Sequence, residues 1–97
     1  MAVIEIYREP GWTNKFSNYR VFIDGLEVGR LRERKLGRYE VSSGLHEVEL
    51  RIQWKASPAV QVRVREDHPA QLRCGPNGFL SIFGKRDRYL WLEPTGE

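Results

Sequence analysis

A chain of 97 residues suffices for one small domain and leaves no room for a second core of ordinary size. A hydrophobic share of 40% with 11% aromatics supports a core, and 30% charge of both signs, interspersed, excludes a disordered chain. Sixteen Lys and Arg against thirteen Asp and Glu give a net charge of +3, short of the lopsided or clustered charge of dedicated nucleic-acid binders.

The opening run to Arg8 places Glu5 among apolar residues and has no basic leader, so a signal peptide is not expected. Val3 to Arg8, rich in β-branched residues, predicts a strand. After the loose segment Pro10-Gly11-Trp12-Thr13-Asn14, Tyr19, Val21 and Ile23 alternate with Arg20 and Phe22. Asp24-Gly25 then gives the strongest short hairpin signal, with Asp24 required at positive φ, and Leu26 to Leu31 is the returning strand. Arg30 to Leu36, between Gly29 and Gly37, is the one helical candidate and allows at most a turn or two.

Leu36 to Val41 predicts a further strand. In Leu45 to Trp54, His46, Val48, Leu50, Ile52 and Trp54 share one parity, opposed by Glu47, Glu49, Arg51 and Gln53, as in a strand with one buried face. The same period recurs in Val60, Val62 and Val64, with Lys55-Ala56-Ser57-Pro58 as the turn of an antiparallel hairpin. Cross-strand charge favours the register that sets Glu47 opposite Arg65 and Glu49 opposite Arg63. Ala70 to Cys74 follows a turn at Asp67-His68-Pro69, Gly75-Pro76-Asn77-Gly78 is the next turn, and Tyr89 to Leu92 closes the set. Seven or eight short strands at spacings of roughly ten residues predict an all-β fold, a single antiparallel β-sandwich (immunoglobulin/prealbumin-like) over 1–97 with little helix.

The middle of the chain resembles the small bacterial β-sandwich modules of the PEGA type. Val21-Phe22-Ile23-Asp24-Gly25, then Glu27-Val28-Gly29, then Ser43-Gly44-Leu45-His46-Glu47-Val48 carry the resemblance, which covers Tyr19 to Val64. The ends, Tyr7 to Trp12 and Arg86 to Leu92, are similar to a group of short uncharacterised bacterial proteins. Both resemblances imply a sandwich and a non-catalytic, interaction or accessory role.

Catalytic constellations are not expected. His46 shares the buried parity beside Gly44 and is expected to bond a turn carbonyl; His68 lies in a polar turn. His46, His68 and Cys74 lack the paired spacing of a zinc site, so no metal and no cofactor are expected. The single Cys74 alternates with Leu72 as a packed strand thiol would, and a lone cysteine fits a reducing, cytoplasmic compartment. No serine stands in a nucleophile elbow, and Glu47 and Glu49 are expected to find arginine partners on an exposed face. The longest nearly apolar run, Phe79 to Phe83, is far short of the about twenty residues of a spanning helix.

The densest positive run is Arg30, Arg32, Arg34, Lys35 and Arg38. On one strand Arg30, Arg32 and Arg34 would project from one face, either as a solvated surface or as a patch for an acidic partner, nucleic acid or anionic headgroups. Trp12, Phe16 and Tyr19, with Lys15 and Arg20 beside them, could supply stacking aromatics. The expectation is a non-enzymatic module that displays loops and edge strands to a protein partner or to its own copy, with anion binding through the Arg30 to Arg38 stripe, Trp12 and Lys15 as the alternative. Nucleic-acid and membrane contact are the lesser expectations, and no small-molecule substrate is implied.

Overall fold

The computed structural model describes residues 2–9, 18–32, 34–52, 55–76 and 90–95. They form nine strands and no helix: β1 (Ala2–Arg8), β2 (Tyr19–Ile23), β3 (Leu26–Leu31), β4 (Leu36–Val41), β5 (Gly44–Ile52), β6 (Lys55–Ala56), β7 (Val60–Val64), β8 (Ala70–Pro76) and β9 (Leu90–Pro94). Two sheets result, and neither closes into a barrel. The first has the order β4-β1-β8-β9. The second runs β3-β2-β5, and then β6 and β7 follow one another along the far edge of β5.

Alternation decides which side of each strand is dry. Ala2, Ile4 and Ile6 of β1, Tyr19, Val21 and Ile23 of β2, Val48, Leu50 and Ile52 of β5, and Leu72 and Cys74 of β8 all point between the sheets and are buried. Each large aliphatic side chain buried there contributes about 1.5–3 kcal/mol, so this one layer is the main source of stability. Arg8 also points inward. Its guanidinium lies 3.7 Å from the centre of the Tyr19 ring and donates to the Leu31 carbonyl at 3.0 Å, tying β1 of one sheet to β2 and β3 of the other.

The Asp-Gly hairpin forms as expected. Asp24 and Gly25 both have positive φ (54° and 85°), the geometry of a primed two-residue turn, and Ile23 pairs with Leu26. A register shift opposite Val21 and Phe22 leaves Val28 as the extra residue of a bulge in β3.

Four expectations are corrected. The sandwich is not wholly antiparallel, because β1 runs parallel to β8, with Ile4 beside Ala70 and Arg8 beside Cys74. Strands so far apart in sequence have no short turn to impose direction, and β8 is free to dock on whichever edge buries Leu72 and Cys74. The Arg30 to Leu36 helix does not form, since β3 runs on to Leu31 and β4 begins at Leu36, with Arg34 between them at φ 64°. The hairpin after β5 reverses between Ile52 and Lys55 and not over Lys55 to Pro58, and Glu47 faces Gln61 while Leu45 faces Arg63. Two paired residues therefore come before an interruption, and β7 starts later than a plain hairpin would allow. Ser57 makes the interruption tolerable: its N–H donates to the Leu50 carbonyl at 2.8 Å, and its hydroxyl accepts from the Leu50 N–H at 3.0 Å. The expected core position of Trp54 lies outside the described residues.

Candidate interaction surface

His46 sits at the start of β5 with Nδ1 2.6 Å from Asp24 Oδ2 and Nε2 2.7 Å from the Ser42 carbonyl oxygen. The Asp24 carboxylate and the Ser42 carbonyl both accept, an arrangement that suits the doubly protonated ring and leaves neither nitrogen turned outward as a base. The Asp24 carboxylate is the first cause that raises the His46 pKa above 6.5, followed by the Ser42 carbonyl, against opposition from desolvation. Asp24 is in turn held below 3.8, chiefly by the Glu47 N–H at 2.9 Å and then by His46. The turn carbonyl was expected; the aspartate, twenty-two positions upstream, was not. Together they clamp the β2–β3 turn onto β5.

The other ionisable candidates are scattered. His68 is exposed in the turn before β8. Cys74 is fully buried, and burial pushes its thiol up to about 12, the pKa of an unreactive core thiol. Glu49 finds its arginine in Arg51, two residues along the same strand at 2.9 Å, and not in Arg63 across the sheet. Among the described residues no three His, Cys, Asp or Glu side chains gather as metal ligands. No helix among them is long and apolar enough to cross a membrane.

The Arg30 to Arg38 stripe is not one face of one strand. Arg30 stands on β3 beside Glu27 at 3.5 Å, and Arg38 stands on β4 in an ion pair with Glu5. Arg32, Arg34 and Lys35 lie in the exposed corner between the sheets and make no ion pair among the described residues. Sequence adjacency hid this division, because the strand ends at Leu31 and Arg34 takes a left-handed backbone conformation. Tyr19, proposed as a stacking platform, is buried under Arg8. Trp12, Lys15 and Phe16 lie outside the described residues, as does the Phe79 to Arg86 segment.

Two surface features emerge only from strand pairing. On the outer face of the second sheet Arg20 stands directly between Arg30 of β3 and Arg51 of β5, over the Phe22 ring, whose centre is 4.1 Å from the Arg51 guanidinium and 5.7 Å from that of Arg20. Three arginines in a row across neighbouring strands repel one another, which Glu27 and Glu49 relieve in part. The second feature is an open side. Strands β3 and β4 end their respective sheets on the same flank, and Tyr39 fills the gap between them, its ring tight against Gly29 of β3 and Gly37 of β4. A groove of about 460 Å³ opens there, lined by Val3, Val28, Arg38, Tyr39 and Glu40. Nearby side chains are apolar yet wet: Leu26 is 71% exposed, Leu36 55% and Val28 44%.

A scan against protein-family models, a search of curated proteins and a search of solved structures each found no match. The described residues define the class: an all-β protein of two facing sheets, not closed into a barrel, whose β3 and β4 have no further strand beside them among the described residues.

Proposed function

We propose that the protein is a non-enzymatic interaction module that presents its β3–β4 flank to a protein partner. One observation carries this most directly: two edge strands lie side by side with Leu26, Val28 and Leu36 in water, where an isolated domain would gain by covering them. The engagement of both His46 nitrogens and the burial of Cys74 fit a role without catalysis. An immunoglobulin- or prealbumin-like sandwich related to the bacterial PEGA-type modules, working in the cytoplasm, is part of the same proposal. It is tested by capture from a lysate of the native host with wild type, Val28→Lys and Leu36→Lys. Partners held by wild type should be lost from both folded variants, and an unchanged set of captured proteins would overturn the assignment.

A second reading, binding of anionic polymers, is favoured by the corner of Arg32, Arg34 and Lys35 and by the Arg30, Arg20, Arg51 row. Binding of that kind weakens steeply with salt because it releases counterions. Retention on heparin that falls steeply as salt rises would support it, and no retention at low salt would remove it.

A further inference from the structure

The outer side of β4 has no strand beside it among the described residues, and its backbone is laid out to take one. The Arg8 N–H donates to the Lys35 carbonyl at 3.1 Å, which fixes the phase of the ladder between β1 and β4. Residues opposite one another alternate along an antiparallel ladder, so Gly37, Tyr39 and Val41 bond inward to Ile6, Ile4 and Ala2. The peptide groups of Leu36, Arg38 and Glu40 consequently point away from the sheet. Strand β4 has a continuous register with β1 over all six residues, whereas β3, the neighbouring edge, is interrupted by the Val28 bulge, a device that discourages pairing.

The side chains on β4 are complementary to themselves. We propose, building on the interaction-module reading above, that the partner is a second copy of this chain, paired antiparallel edge to edge through β4 about a two-fold axis at Tyr39. In that register Arg38 faces the partner's Glu40 and Glu40 faces the partner's Arg38, each an opposite-charge pair on the outer face. Both residues lie where the free peptide groups are, so each such pair also exchanges two backbone hydrogen bonds. Arg38 already pairs with Glu5 on β1 and is still 59% exposed, so the partner's Glu40 completes a row of alternating charge. Tyr39 meets the partner's Tyr39 across a non-hydrogen-bonded position, where side chains approach most closely. Val28 lines the same groove as Arg38, Tyr39 and Glu40, so this exposed side chain borders the joined strands. The basic corner lies at one end of β4, and antiparallel pairing sets the two corners at opposite ends of the joined strands, away from mutual repulsion.

Sedimentation velocity from micromolar to millimolar protein provides the test. Wild type should pass from the mass of one chain to that of two. Glu40→Arg should remain a monomer, because it sets Arg38 against an arginine, and so should Arg38→Glu. An equimolar mixture of the two should regain the doubled mass, since each then meets its opposite. Glu40→Pro covers the case in which Arg38→Glu folds poorly beside Glu5: it deletes an outward N–H that no internal bond uses among the described residues, and should give a folded monomer. A wild type that stays monomeric at millimolar concentration, or dimers that survive Glu40→Arg and Glu40→Pro, would overturn the proposal. A monomer that still captures a host protein through Val28 and Leu36 refutes self-pairing alone; one that captures nothing refutes the module as well.

Discussion

Asp24→Asn separates the charge of the Asp24–His46 clamp from its shape. Asparagine tolerates the positive φ of this turn, and its amide oxygen can still accept the Glu47 N–H, so the hairpin is kept while the attraction for an imidazolium is lost. A hydrogen bond between charged groups contributes about 1.5–3 kcal/mol when buried. Here His46 is buried but the Asp24 side chain is 50% exposed, so screening by water reduces the expected loss to about 1 kcal/mol. The loss must depend on pH. His46 has a raised pKa in the folded state, so its contribution is complete below 6.5 and disappears as pH rises through the raised value. Asp24 has a lowered pKa, so its contribution is complete above 3.8 and disappears as pH falls through the depressed value. Urea unfolding of wild type should therefore show greatest benefit from this pair between those limits, with Asp24→Asn about 1 kcal/mol weaker there and a smaller deficit in alkali, where the carboxylate still accepts the Glu47 N–H but no longer faces a charged ring. Titration of the His46 ring by NMR supplies the folded pKa directly. An Asp24→Asn deficit that is the same in mildly acidic and alkaline buffer, or a His46 pKa below 6.5, would refute the clamp as described.

Three more outcomes follow from packing. Gly37→Ala places a Cβ against the Tyr39 ring, 2.7 Å from Cζ, and should cost about 1–3 kcal/mol; Tyr39→Leu should relieve it in the double variant, and a Gly37→Ala melt equal to wild type would contradict this packing. Ser57→Ala removes the acceptor of the buried Leu50 N–H and should lower stability by about 1–3 kcal/mol in chemical denaturation. Cys74, with its thiol pushed up to about 12, should resist thiol reagents in native neutral buffer and react fully once denatured; rapid stoichiometric labelling of the folded protein would show that β8 is not packed as described.

Period-two alternation was readable wherever neighbouring residues alone decide it. His46, Val48, Leu50 and Ile52 share the inner face of β5, Leu36 to Val41 forms a strand with the expected bounds, and Asp24-Gly25 makes its turn because its preference for positive φ is a property of those two residues. Alternation has only two phases, however, and leaves registers that differ by two positions equivalent. The offset between β5 and β7 therefore had to come from Ser57, whose hydroxyl substitutes for a backbone acceptor at the break. A run of basic residues read as one stripe is divided between two sheets for a different reason, the end of β3 at Leu31 and the left-handed backbone of Arg34.

Contacts distant in sequence were decided by the assembled layers. Nothing local to Asp24 or His46 announces their pairing, nor does anything in Arg20 foretell that it stands between Arg30 and Arg51. Residue chemistry alone determined that this chain makes extended segments, several with one dry side, and a turn at Asp24. Only the tertiary structure decided which segments became neighbours, that β1 and β8 run in the same direction, and that β3 and β4 were left as edges, because burial fixes faces while hydrogen bonding between distant strands fixes partners.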